Sequence, residues 1–187
     1  MEKARLFIAL DLDDFVVDNL VETTSKLRKI IPKARWGNES TMHLTLKFFG
    51  TISLLEVREI DRAVRKSITE IKPFSFGTIG IGGFPSLEKP RVFWAGVGKG
   101  KEKIEELAAD LDKNLQENFG AEIRKFVPHI TVGRIKKRII LSKEQLHELN
   151  QFESKKFGVT TVKGISLYSS ELTSKGAVYS KIDSWGF

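Results

Sequence analysis

Two short stretches of this 187-residue chain carry the side chains best suited to chemistry. They are His43-Leu44-Thr45-Leu46 and His129-Ile130-Thr131-Val132, and both read histidine, apolar, threonine, apolar. They stand 129 − 43 = 86 residues apart, nearly half the chain. The chain has three histidines and eleven threonines. Two of three histidines followed by threonine at the second place has a chance of roughly one in a hundred, so the pair reads as a motif. Either histidine alone would read as a partly buried strand residue.

Strand geometry gives the spacing its meaning. Side chains alternate faces with period two. His43 and Thr45 then share one face, as do His129 and Thr131, while Leu44, Leu46, Ile130 and Val132 anchor the other face in a core. Each strand offers an imidazole beside a hydroxyl. Histidine titrates near neutrality, so one imidazole can take a proton while the other gives one. Displacement at a phosphodiester needs that pair on opposite sides of phosphorus, with the attacking and leaving oxygens in line. Threonine hydroxyls can donate to the non-bridging oxygens, where charge collects. Nothing in this scheme requires a metal or cofactor.

The elements that must position these residues follow from periodicity. Residues 5–12 and 42–49 read as strands, the second closed by Gly50. Residues 13–31 carry apolar residues at helical spacing and end at Pro32. Ser53 with Glu56 three residues on is a capping-box pattern opening a helix to about residue 70. A Gly-rich strand over 74–84 pairs as a hairpin with 91–97. A helix over 102–119 ends at Gly120. A strand follows over 129–135, then a short helix over 142–150. Residues 157–168 and 177–182 read as a closing antiparallel pair. Strand–helix steps mixed with hairpins predict an α+β fold over one domain, 1–187.

Composition bounds the partners. Lys and Arg number 31 against 24 Asp and Glu, a net charge of +7 that suits a polyanion such as RNA. The absence of cysteine excludes thiol nucleophiles and Cys-based metal sites. His147 lies in a short helix without metal-ligand spacing and reads as a surface residue. Acidic residues follow the first apolar run at once, so it is no signal peptide, and no run is long enough to span a bilayer. The expectation is a soluble, cytoplasmic protein without membrane partners, and a monomer.

The two motifs resemble the paired His-x-Thr-x elements of the 2H phosphoesterase superfamily, and more closely the RNA 2′,3′-cyclic phosphodiesterases once called 2′–5′ RNA ligases. The similarity extends in order through Arg5-Leu6-Phe7-Ile8-Ala9-Leu10, Arg35-Trp36, Lys47-Phe48-Phe49-Gly50, Gly83-Phe84-Pro85, Pro90-Arg91-Val92-Phe93-Trp94, Gly133-Arg134, Leu167-Tyr168-Ser169-Ser170 and Gly176-Ala177-Val178-Tyr179. The resemblance implies a bilobal fold, two pseudo-symmetric antiparallel sheets with outer helices around a central cleft. It implies His43 as general acid, His129 as general base, and a 2′-phosphate product on RNA ends such as transfer-RNA fragments. It also implies an arginine at position 134 facing the phosphate, although simple parity points Arg134 away; Gly133 is the expected cause of its redirection.

Several neighbours remain open on residues alone. Lys47, four after His43, shares its face by parity and is a candidate phosphate contact. Trp36, Phe84, Trp94 and Tyr168 are candidates to stack a base, with Trp94 expected in the core. The basic run 134–138, with Lys33 and Arg35, is a candidate backbone-binding surface. Two rival functions stand beside hydrolysis. One is a non-catalytic nucleotide- or RNA-binding module of the same fold. The other is reversible 2′–5′ ligation at the same site, with a 5′ hydroxyl in place of water.

Overall fold

The computed structural model describes residues 2–121, 125–174 and 176–187. The elements in order are β1 (Lys3–Leu10), α1 (Asp14–Ile30), β2 (Arg35–Trp36), β3 (Leu44–Ser53), α2 (Val57–Ile68), β4 (Phe74–Phe84), β5 (Val92–Val97), α3 (Lys101–Phe119), β6 (His129–Arg134), α4 (Lys143–Asn150), β7 (Lys156–Val162), β8 (Gly164–Thr173) and β9 (Gly176–Gly186). Among the described residues, no helix is long and apolar enough to cross a membrane.

The strands run in the spatial order β7-β4-β5-β6-β3-β1-β8-β9, with β2 beside β6. Neighbours are antiparallel throughout. The two expected sheets are thus the halves of one continuous sheet. They meet at one recorded residue pair between β3 and β6, Leu44 opposite Ile130. Both residues are fully buried. The two motif strands are therefore the innermost strands of the molecule.

Helices cover the outer faces. α1 and α4 serve the half that ends in β7, and α2 and α3 serve the half that ends in β9. α1 follows β1 but crosses to the other half, where Val16, Leu20 and Leu27 are wholly buried. Burial of each such side chain contributes about 1.5–3 kcal/mol. Polar contacts fix the crossing: Asn19 Nδ2 donates to the Phe157 carbonyl at 3.0 Å, and Lys155 Nζ donates to Thr23 Oγ1 at 2.7 Å. On the other side, Trp185 Nε1 of β9 donates to Asp61 of α2 at 2.8 Å. The capping box at Ser53 forms, with the Ser53 amide donating to Glu56 Oε2 at 2.8 Å. Its first turn is a 3-10 turn over Leu54–Glu56, and the α-helix begins only at Val57.

The closing pair is arranged differently from the expectation. Residues 157–168 form two strands, split at Lys163. β7 pairs with β4 at one end of the sheet, and β8 pairs with β1 and β9 at the other. The chain changes halves at Gly164, where a Cβ would lie 2.3 Å from the Trp185 carbonyl oxygen. Phe157 and Val159 before this point are in phase with Ile165 and Leu167 after it, so periodicity alone runs the two strands together.

Both motif strands carry a bulge at the fourth motif residue. On β3, Thr45 faces Ala9 and Lys47 faces Ile8, so Leu46 is the extra residue. On β6, Thr131 faces Trp94 and Gly133 faces Phe93, so Val132 is extra. An extra residue reverses the faces of everything after it. Lys47 is therefore turned away from His43. It is 6% exposed, and its Nζ donates to Asp112 Oδ1 of α3 at 2.5 Å and to the Gly120 carbonyl at 3.2 Å. The expectation that Lys47 shares the His43 face fails for this reason. Arg134 gains the cleft by the same device, one residue before the expected Gly133.

Gly133 has a different task. A Cβ there would sit 2.6 Å from Trp36 Cε3. Trp36 is buried, stacks on Phe93 at 4.9 Å, and donates its indole N–H to the Ile31 carbonyl at 3.2 Å. It is a core residue that reaches the cavity wall with only a small part of its surface. Gly133→Ala is expected to cost about 1–3 kcal/mol through overpacking. Urea unfolding measures it, and an unchanged midpoint would contradict the packing described.

Candidate active site

A cavity of about 900 Å³ opens over the junction of the two halves. His43, Thr45, Thr131 and Arg134 are in its wall. Leu44 opposite Ile130 fixes how the motifs meet. Extended by one residue each way, the antiparallel register sets His43 across from Thr131 and Thr45 across from His129. The two motifs are thereby related by an approximate two-fold through the buried Leu44–Ile130 pair.

His43 lies one residue before β3 and is half-buried. Aromatic rings hold it. It stacks on Phe7 with centroids 4.7 Å apart and 26° between planes, and Tyr179 meets it edge-on at 5.1 Å. Tyr168 lies nearly parallel at 6.2 Å. Burial pushes its pKa down to about 4; Asp11 pulls it up, and Arg134 and then His129 push it down further.

His129 begins β6 and is also half-buried, beside the cavity, with Phe84 edge-on at 5.0 Å. Its Nδ1 lies 2.7 Å from the Val127 carbonyl. A carbonyl only accepts, so Nδ1 carries the proton and Nε2 keeps a lone pair. That is the tautomer a general base needs. Burial lowers its pKa, the Val127 bond raises it, and Arg134 lowers it, with a net fall. Both shifts favour the neutral imidazole.

Arg134 is exposed in the cavity wall, directly across the strand pair from Arg35, which is also in the wall. Like charges set opposite each other repel. An anion between them relieves that repulsion, and guanidinium forks match phosphate geometry. Of the basic run after the second motif, Lys136 joins Arg134 in the wall; Lys137 and Arg138 are exposed outside it. Lys33 is exposed outside it as well.

A polar cluster supports His43 from behind. Asp11 accepts from Tyr168 Oη at 2.5 Å, Lys181 Nζ at 2.7 Å and Ser166 Oγ at 2.8 Å. Burial pushes the Asp11 carboxyl up, but these three donors outweigh it and hold the pKa below the usual carboxylate range. The same burial and the Asp11 bond push the Tyr168 phenol up. Tyr168 in turn stacks on Phe7 at 5.4 Å. Periodicity missed Phe7, Tyr179, Asp11 and Lys181. Asp11 stood in the sequence only among the acidic residues that follow the first apolar run, and its partners are more than 150 residues away.

The remaining aromatic candidates divide. Phe84 faces His129 and lies 5.3 Å from Trp94. Trp94, expected in the core, is half-buried and pairs with Thr131. His147 is exposed on α4. Among the described residues no group of three or more His, Asp or Glu could hold a metal.

Two half-sheets joined at paired His-x-Thr-x strands, with both imidazoles beside one basic cleft, are the arrangement of the 2H phosphoesterases. The chain belongs to the 2′-5′ RNA ligase superfamily, whose sequence profile matches residues 17–172. It is 35% identical over 176 residues to an RNA 2′,3′-cyclic phosphodiesterase of Thermotoga maritima, covering 94% of this chain and 91% of the relative. It is 31% identical over 182 residues to one of Methanothermobacter thermautotrophicus, covering 97% of each. Among solved structures it resembles TT0787 of Thermus thermophilus, at 28% identity and a TM-score of 0.81 over 97% of each chain. E. coli LigT complexed with 3′-AMP shares the fold at 20% identity and a TM-score of 0.76, over 99% of this chain and 98% of LigT.

The depressed His43 pKa carries a stability consequence. The unfolded chain binds a proton at His43 near pH 6.5, whereas the folded protein does so only near pH 4. The stability held by neutral His43 is complete above pH 6.5 and is lost as pH falls to 4. His43→Gln removes this loss, so the variant is expected to gain stability relative to wild type between pH 7.5 and pH 4.5 in urea unfolding. A pH-independent difference would contradict the depressed pKa. Lys47→Met is expected to leave kcat/KM within about two-fold, since Lys47 faces away from the cleft. A ten-fold loss at unchanged thermal midpoint would return Lys47 to the site.

Proposed function

We propose that this protein hydrolyses the 2′,3′-cyclic phosphate ends of RNA to 2′-phosphate ends, with His43 as general acid and His129 as general base. The observation that supports the reading is the register at Leu44–Ile130, which gives each imidazole a threonine across from it, with His43 in the cavity wall and His129 on the strand beside it. The relatives named RNA 2′,3′-cyclic phosphodiesterase supply the substrate class.

The steps follow from the groups. His129 Nε2 takes a proton from water as its oxygen bonds to phosphorus. The bond from phosphorus to the 3′ oxygen breaks, and His43 gives that oxygen its proton. The ring opens to a 2′-phosphomonoester and a 3′ hydroxyl. His43 must therefore be charged when the chemistry begins, though it is neutral in the empty cleft. The arriving phosphate anion supplies the difference, since it stabilises the imidazolium against burial and against Arg134. Asp11 favours the same state. Thr45 and Thr131 donate to the non-bridging oxygens, and Arg134 with Arg35 balances their charge. These side chains carry the reaction without a metal.

The test is product analysis on an RNA oligonucleotide ending in a 2′,3′-cyclic phosphate, with EDTA present. Wild type is expected to yield only 2′-phosphate ends. His43→Ala and His129→Ala are each expected to lose about 10²–10⁴-fold in kcat/KM. A 3′-phosphate product would overturn the roles given to the two histidines. Joined strands would favour 2′–5′ ligation, and unchanged ends with nucleotide bound would favour a binding module.

A further inference from the structure

The wall of the cleft carries charge of one sign. Arg5, Arg35, Arg134 and Lys136 stand in it, and none of the described residues that line it is Asp or Glu. Such a wall draws an anion but opposes a further cation. His43, which must be an imidazolium to give a proton, stands in that wall. Arg134 and His129 press on it from β6, and Arg35 on β2 lies across from Arg134. The carboxylate that acts against them is Asp11, which is not part of the wall.

The sheet explains where Asp11 sits. Phe7 faces Tyr168 across β1 and β8, and Tyr168 faces Lys181 across β8 and β9. Residues directly opposite share a face, so the three side chains form one row. Asp11 follows the end of β1 and joins this row. Both of its oxygens are held, Oδ1 by Tyr168 Oη and Oδ2 by Lys181 Nζ and Ser166 Oγ. Of the rings around His43, Phe7 and Tyr168 lie nearly parallel to it and Tyr179 meets it edge-on. The strand order β3-β1-β8-β9 sets Lys181 furthest from His43, while Asp11 follows β1, the strand beside β3. The carboxylate thus stands on the His43 side of its own ion pair.

We propose that Asp11 is a positioning residue for the reaction: its carboxylate, fixed by three donors outside the cleft wall, keeps His43 able to act as the acid among cations. The proposal rests on the role given to His43 above. Charge that binds the phosphate and charge that supports the acid are then set in different places. A carboxylate in the wall would repel the phosphate; outside it, Asp11 acts on the ring without lining the phosphate site.

The pH dependence of kcat on an RNA oligonucleotide ending in a 2′,3′-cyclic phosphate tests this, because the alkaline limb of kcat reports the general acid in the complex. Asp11→Asn keeps the shape and removes the charge. Asp11 is 47% exposed, so solvent damps its pull. The variant is expected to move the alkaline limb down by about half a unit to one unit. Above the limb kcat then falls about three- to ten-fold, and below it the two enzymes agree. Lys181→Met breaks the same ion pair but leaves the carboxylate, and is expected to hold the limb in place or raise it. A limb that Asp11→Asn leaves unmoved overturns the proposal. So does an equal fall in both variants, which would trace the effect to the lost ion pair, or a loss of kcat that is the same at every pH. NMR titration of His43 in the 2′-AMP complex reads the ring without turnover, and Asp11→Asn is expected to lower its pKa there by the same amount. That shift in a protein inactive on cyclic ends would sink the hydrolytic reading and leave the support of the charged ring standing. Turnover with the shift absent would do the reverse.

Discussion

The site depends on one pair of buried residues, Leu44 and Ile130, through which the two halves of the sheet join. A slip of one residue at this pair would exchange core and cleft faces along both motif strands. The core forbids it. Leu46 is 6% exposed and Val132 is fully buried, and both would enter the cleft. The histidines and threonines thus take their places from the residues between them, which have no chemistry of their own. The bulges immediately beyond add the second layer. They turn Arg134 and Phe48 inward and Lys47 outward, where α3 supplies its carboxylate.

Electrostatics in the empty cleft favour an anion before any substrate arrives. Arg35 and Arg134 face each other across a strand pair, and Lys136 joins them in the wall. Burial first, and then the charge of Arg134, lower the pKa of both imidazoles. On the proposed mechanism, a bound anion raises the His43 pKa, and the ring takes its proton from solvent. Phosphate binding and charging of His43 are then linked, and Asp11 favours the charged ring. The tautomer of His129 is set separately by the Val127 carbonyl. The two histidines therefore differ in their surroundings even though their strands are alike.

Much of this was legible in the sequence, and the failures have physical causes. Alternation read the motif faces correctly because apolar residues flank each histidine and threonine. The capping boxes at Ser53 and Ser142 appeared where serine stood three residues before Glu or Gln. Lys47 was misread because a β-bulge has no signature when the extra residue is an ordinary leucine. Residues 157–168 read as one strand because the apolar residues before and after the short break at Lys163-Gly164 share one phase. The burial of Trp36 could not be foreseen, since its packing on Gly133 joins segments nearly 100 residues apart. Asp11 and its donors were invisible for the same reason. Local pattern finds groups that share a strand; groups gathered from both ends of the chain need the sheet order.

The claim most exposed to test is that an anion in the cleft charges a histidine the empty cleft keeps neutral. NMR titration of the histidine ring protons reads it directly, with and without saturating 2′-AMP, and with resonances assigned through His43→Gln and His147→Gln variants. The account predicts that His43 titrates near 4 in the free protein and well above that value in the complex. A free-protein pKa at or above the ordinary value of about 6.5, or one that the nucleotide leaves unmoved, would contradict it.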